Sequence, residues 1–243
     1  MKTKFRLLVL AAMVLWPTTA AWADFYVVGV GKVGTRITSV PYTISQPGFY
    51  FLSGNLTYSG TFHAITVNAD DVTIDLMGFS LIKDGPRVGT GVYMSGRTNV
   101  EIRNGTVRGF GYGVREASAT GNKHRAINVR ATGNLYGIYF LGSNHLLQGC
   151  SGSNNDQIGL FLTSGVITGC TASNNSSGIV AHGPANVLGN TALNNSGVNF
   201  HLGNGTSTAI LVDQNCAFGL TPSSNYYAPL GTSGIRDGVN AGG

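Results

Sequence analysis

A glycine followed by an aliphatic residue recurs down this chain at Gly91-Val92, Gly113-Val114, Gly137-Ile138, Gly159-Leu160, Gly178-Ile179 and Gly197-Val198. A period of roughly 19 to 24 residues marks a solenoid, in which no repeat buries its own apolar face and each covers its neighbour. Between the markers lie short alternating runs such as DVTIDL (71–76), NVEIRNGTV (99–107) and GVITGCTA (165–172). Alternation at period two sends one side chain in and the next out, as in a strand. Ile74, Ile102, Ile127, Leu147, Ile167 and Val187 take the inward positions. A 3.6-residue apolar period is almost absent, so helices are not expected as connectors.

A second series is stricter. Asn134, Asn154, Asn174 and Asn194 recur at one fixed interval, twenty places apart. Coils stacked at a strand spacing of about 4.8 Å bring such amides into a ladder, each side-chain oxygen accepting from the next coil. Leucine-rich repeats share the period, but their dense leucine pattern is absent. The expected fold is all-β: a single-stranded parallel β-helix with coils of roughly 20–24 residues. Cys150 and Cys170 differ by the same interval, with Asn190 at the next equivalent turn. Stacked cysteines fall within the Cα range of a disulfide, yet parallel in-register side chains do not give its dihedral angle. A Cys150–Cys170 bond and a pair of stacked free thiols both remain open, and Cys216 is expected under the C-terminal cap.

The ends carry different signals. Lys2, Lys4 and Arg6 precede an apolar run from Leu7 to Trp16, Pro17 breaks it, and Ala21-Trp22-Ala23 supplies the small residues of a cleavage site. This predicts a signal peptide over 1–23, cut after Ala23, and a secreted or periplasmic protein. The apolar run is far shorter than the about 20 residues a membrane-crossing helix needs, and no later stretch reaches that length. Loss of the three basic residues leaves 12 cations against 10 anions. Such a near-neutral chain gives no electrostatic reason to bind nucleic acid or anionic lipid. Residues 24–62, with Gln46-Pro47-Gly48 and Phe49-Tyr50-Phe51, read as an N-terminal cap and first turn. Residues 63–216 read as the solenoid, and 217–243, where the period fades, as a C-terminal cap and tail. A monomer is expected.

The segments AITVNADDVTIDLMGFSL (64–81) and NVEIRNGTVRGFGYGV (99–114) resemble the pectin-lyase-like β-helix proteins, a likeness that extends over roughly residues 40 to 215. The resemblance implies a right-handed coil. It points to no single activity, because that superfamily includes lyases, glycosidases, epimerases, phage tailspikes and surface proteins.

Chemistry is constrained more by absence. From Ala131 to Gly243 the only charged residues are Asp156, Asp213, Arg236 and Asp237. Sugar cleavage needs paired carboxylates, or a base with a carboxylate or metal. Ala181-His182-Gly183 resembles the Gly-His-Gly of polygalacturonases, but the accompanying aspartates and Arg-x-Lys are missing, so His182 reads as a turn residue. Charge is concentrated between 70 and 130. Matching inward positions sets Asp75 beside Arg103 on the next coil, the weak candidates for catalysis. Arg103, Arg108 and Arg125 are candidates to bind an acidic polysaccharide through guanidinium–carboxylate pairs. In the superfamily, lyases pair a basic Arg or Lys with calcium held by aspartates, and Asp70, Asp71, Asp75 and Asp84 are the only residues here that fit such a role. No cofactor is otherwise expected. The simpler alternative is a cross-strand ion pair at Asp75–Arg103 and a turn at Asp70-Asp71. On balance the sequence favours an exported, non-catalytic protein that binds glycans or surfaces or plays a structural part. A polysaccharide lyase or other carbohydrate-active enzyme is the alternative.

Overall fold

The structure is a computed structural model that describes residues 34–204 and 209–218, plus the backbone of strands Tyr226–Tyr227, Ile235–Asp237 and Ala241–Gly242. The expected signal segment and most of the expected C-terminal cap lie outside these residues. Every named element is a strand, and every pairing is parallel between successive coils. Among the described residues, one sheet holds nine strands, one per coil, and a second holds seventeen, about two per coil. No helix among them is long and apolar enough to cross a membrane.

Three columns of side chains fill the tube. Ile74, Ile102, Ala126, Leu147, Ile167, Val187 and Val212 are in register on one wall. Val92, Val114, Ile138, Leu160, Ile179 and Phe200 line the nine-stranded wall. The third wall tapers from Leu81 and Val107 to Ala131, Gly152, Ala172, Ala192 and Ala217. Ile127 is not inward. It pairs with Arg103 and Gln148, and Ala126 takes the core position. The shift arises because Ala126 and Leu147 are 21 places apart where Leu147 and Ile167 are 20, so an interval of twenty counted back from Leu147 lands one residue late.

The corners explain the asparagines: of the expected ladder, Asn174 Nδ2 donates to Asn154 Oδ1 at 3.4 Å on the exposed side, while a second, buried set carries the continuous column. Asn154, Asn174 and Asn194 stand at φ 56°, 56° and 52° on the exposed side of one corner, stacked above Gly133. Asparagine and glycine tolerate this left-handed backbone better than other residues. The buried amides come one residue later. Asn134, Asn155, Asn175 and Asn195 form the continuous column, so Asn134 belongs with this set and not with Asn154. Asn134 Oδ1 accepts from the Phe110 N–H at 3.0 Å, and each later Oδ1 accepts both the backbone N–H and the Nδ2 of the preceding member, as Asn175 does from Asn155 at 2.9 and 3.1 Å. Each Nδ2 also donates to a wall carbonyl, such as Asn175 to Gly152 at 2.9 Å. Every polar atom of the amide is thereby satisfied inside the tube.

The glycine markers belong to the same device. A Cβ on Gly137 would lie 2.3 Å from the Gly159 carbonyl and 3.1 Å from Nδ2 of Asn155; one on Gly178 would lie 2.5 Å from Nδ2 of Asn195. Glycine is kept where the ladder leaves no room. Gly197 is out of this series, because Ile179 pairs with Phe200 and so sets Asn199 opposite Gly178. Asn199 ends the column by accepting from Asn195 Nδ2 at 2.7 Å.

At the second corner Cys150, Cys170, Asn190 and Asn215 form a parallel column. The thiols are free: Cys150 N–H donates to Cys170 Sγ at 3.4 Å, and Cys170 N–H to Asn190 Oδ1 at 2.9 Å. Each sulfur takes the place of an amide oxygen in the ladder, the arrangement expected of stacked thiols. Within 217–243, the described strands Tyr226–Tyr227, Ile235–Asp237 and Ala241–Gly242 pair in parallel with the strands that hold Phe200, Ile210 and Cys216.

A third buried column is made of histidine. Val100 N–H donates to His124 Nδ1 at 3.2 Å, and His124 N–H to His145 Nδ1 at 3.2 Å. Those acceptor roles leave Nε2 of His124 to donate to Glu116 at 3.0 Å and Nε2 of His145 to donate to the Leu141 carbonyl at 2.9 Å. Burial, with His124 beside it, lowers the pKa of His145 to about 4. An unfolded imidazole takes its proton near 6.5, so the unfolded chain binds more protons between pH 6.5 and 4. Stability should therefore be full above pH 6.5 and fall by roughly 3 kcal/mol as pH drops to 4. His145→Asn keeps an acceptor for the His124 N–H, and melting curves across this range should show a flatter slope. An unchanged slope would place the acid sensitivity elsewhere.

Candidate functional site

The charged face expected between residues 70 and 130 is built, and it is already paired. Asp75 and Arg103 are register partners, and Asp75 Oδ2 accepts from Arg103 Nε at 2.8 Å. Asp75 also accepts from Asn104 and, at 2.8 Å, from the Met77 N–H, so it ties down the turn after its own strand. Glu101, which the sequence reading passed over, accepts from Arg103 Nη1 at 3.1 Å and pairs with Arg125 Nη2 at 2.9 Å. Its signal was its place two residues before Arg103 on one strand face. Two cations and two carboxylates thus neutralise each other. The hydrogen bond to Asp75 chiefly raises the pKa of Arg103, which is the reverse of what a proton-abstracting arginine requires. Arg108 lies round the corner, in register with Ile82 and Thr132.

Asp70, Asp71 and Asp75 each accept hydrogen bonds from the protein itself. Asp70 accepts from the Thr98 N–H at 2.9 Å and Asp71 from Asn99 Nδ2 at 2.7 Å. Asp71, at φ 55°, forms the corner itself. Asp84 sits in the loop after Lys83, whose ammonium donates to the Asp84 carbonyl. Among the described residues no group of three or more His, Cys, Asp or Glu could hold a metal ion. His182 follows its strand as a turn residue, with its ring edge-on to Phe161 at 4.9 Å.

A different surface gathers the unspent groups. On the outer side of the nine-stranded sheet, Thr66, Tyr93, Arg115, Tyr139, Phe161, Val180 and His201 follow one another in register. A second row places Thr90 beside Tyr112 and Tyr136. Tyr112 and Tyr136 stack at 4.6 Å, and Tyr139 stands edge-on to them at 5.6 and 5.7 Å. Tyr139 stacks on Phe161 at 4.2 Å, and His63 on Tyr93 at 3.9 Å. The Arg115 guanidinium lies 4.2 Å from the centre of the Tyr112 ring. Burial, then Tyr112 and Tyr136, raise the pKa of Tyr139; burial, then Arg115, lower that of His63.

Phe161 is buried; Tyr93, Tyr112, Tyr136 and Tyr139 are half-buried, and no group among the described residues hydrogen-bonds their hydroxyls. The strip was open to sequence reading. Tyr93, Arg115, Tyr139 and Phe161 each stand two places after the marker glycine, but the marker drew attention to the core and not to its outward neighbour. Chemically the strip offers flat apolar faces edged by free phenols and one cation. Among the described residues it has no carboxylate: Glu116 points inward, where it accepts from His124 and from the Gly96 and Ser118 N–H groups at 2.8 and 2.6 Å.

A family model described as a right-handed β-helix region matches residues 52–217. No curated protein matches the sequence. Among solved structures, the chain is similar to the A-module of the mannuronan C-5 epimerase of Azotobacter vinelandii. The TM-score is 0.50 at 14% identity, over 86% of this chain and 84% of that one. It is similar too to the Dettilon tailspike protein, with a TM-score of 0.50 at 13% identity, over 85% of this chain and 55% of the other. At such identities the likeness is one of fold.

Proposed function

Because the chain belongs to the right-handed β-helix family, we propose that it is an exported, non-catalytic glycan-binding protein that holds sugar rings on the tyrosine strip of its nine-stranded sheet. The observation that carries this is the cluster of Tyr112, Tyr136 and Tyr139. Their ring centres lie 4.6, 5.6 and 5.7 Å apart, and no group among the described residues engages their hydroxyls. Aromatic faces beside polar tips suit sugars, whose C–H faces are apolar and whose rims are hydroxyls. One structural neighbour is named for a polysaccharide, mannuronan. Export rests on the basic, apolar and small-residue order of residues 1–23. Against catalysis stands the engagement of Asp75, Glu101 and Glu116 in structural hydrogen bonds and ion pairs.

Gel retardation on a panel of neutral and acidic polysaccharides tests the proposal. The triple variant Tyr112→Ala, Tyr136→Ala, Tyr139→Ala should lose at least about tenfold in affinity, about 1.4 kcal/mol, with its β-type circular dichroism unchanged. Retardation equal to the parent's would move the site elsewhere. New ultraviolet absorbance from an unsaturated product would make the protein a lyase.

A further inference from the structure

We infer that Arg115 anchors a subsite for one acidic group of the glycan, a carboxylate or a sulfate, while neighbouring sugar rings lie on Tyr112, Tyr136 and Tyr139. This rests on the proposal that the tyrosine strip binds glycan, and it adds the ligand's charge and the residue that reads it.

The other arginines show what is unusual about this one. Arg103 and Arg125 are paired with Asp75 and Glu101, and Arg87 with Asp156. Arg97 donates to backbone carbonyls and Arg130 to the Thr106 hydroxyl. Arg36 and Arg108 are exposed, where water solvates them. Arg115 alone among the described arginines is half-buried and donates to no acceptor on the described residues, and its Nε is fully enclosed without a partner.

The enclosed Nε is out of a ligand's reach, so the two Nη groups, which are not enclosed, are the donors a ligand would meet. Glu116, the adjacent residue, cannot supply the acceptor because its oxygens are spent inside the tube. Stacking on Tyr112 holds the planar fork in one orientation, which lowers the entropy lost when a ligand pairs with it. Both register partners of Arg115 are tyrosines, Tyr93 and Tyr139, so neither flanking strand sets a counter-charge beside it. An oxyanion with two oxygens facing the fork is the complement.

Calorimetry at neutral pH compares two pairs of short oligosaccharides. One pair is a uronate oligomer and its methyl ester; the other is a sulfated carrageenan oligomer and its neutral agarose counterpart. In at least one pair the charged member should bind about tenfold more tightly at low salt, and the pair that shows it tells carboxylate from sulfate. High salt should erase the advantage. Arg115→Gln should remove it, Arg115→Lys should keep part of it, and Arg108→Gln, on another wall, should leave it intact. Equal binding of charged and neutral members overturns the subsite while leaving the tyrosine strip standing. Arg108→Gln costing as much as Arg115→Gln also overturns it, since the effect would then be one of net charge. If none of the four oligosaccharides binds, the subsite and the glycan proposal fail together.

Discussion

Ile167→Asp should abolish soluble, folded protein. Ile167 is fully enclosed between Leu147 and Val187 on adjacent coils. A carboxylate there loses the apolar contacts of the isoleucine and gains no partner, since that wall of the tube offers only aliphatic side chains. The combined cost exceeds about 5 kcal/mol, comparable to the whole stability of a typical domain. The loss should also spread, because a solenoid coil is covered only by its two neighbours. Ile167→Val, which removes one methyl group, should cost about 1 kcal/mol and leave the fold intact. The measurement is soluble yield and the thermal midpoint of both variants. An Ile167→Asp protein that melts like the parent would mean that the side chain faces water and that the register is wrong.

Asn175→Leu should be nearly as damaging, whereas Asn174→Ala, one residue away, should be mild. Removal of the Asn175 amide strips an acceptor from Asn155 N–H and Nδ2 and a donor from the Gly152 carbonyl and Asn195 Oδ1. At about 1–3 kcal/mol for each buried group left short of a partner, the total is about 4 kcal/mol. Asn174 is exposed and at φ 56°. Alanine there pays for left-handed backbone, about 1 kcal/mol, and loses the long, exposed Nδ2 bond to Asn154 Oδ1; glycine loses that bond alone. Urea unfolding of Asn175→Leu, Asn174→Ala and Asn174→Gly should rank them in that order, the first least stable. If Asn174→Ala were worse than Asn175→Leu, the ladder would run through the exposed column.

That contrast shows where sequence reading stops. The recurring Ser-Asn-Asn announces a corner, and its fixed interval announces stacking. Two adjacent asparagines do different work, however: one because it tolerates φ above zero, the other because both ends of its amide can be satisfied inside the tube. Composition cannot separate them, since both roles select the same residue. Only the strand register does, by setting Asn134 beside Asn155. The same limit displaced Ile127. Alternation sets which residues share a face, but the coil from Ala126 to Leu147 is one residue longer than the coil that follows it, and only the strand register shows where the extra residue falls.

The sequence by itself determined the parallel solenoid, its coil length, the apolar columns of Ile167 and Val187, the stacking of Cys150 on Cys170 and the approach of Asp75 to Arg103. Each follows from a local period, and a period survives whatever the chain does at a distance. The tertiary structure decided which charges are spent. Arg103 and Arg125 looked like a basic face because their partner Glu101 becomes a neighbour of Arg125 only when successive coils are laid side by side. Arg115 falls in the same charge-rich stretch of sequence, yet it lies on another wall among tyrosines, with no carboxylate of the described residues paired to it. Whether a charge is free or neutralised depends on distances of a few ångströms across coils, since pairing energy falls with separation and is screened by water.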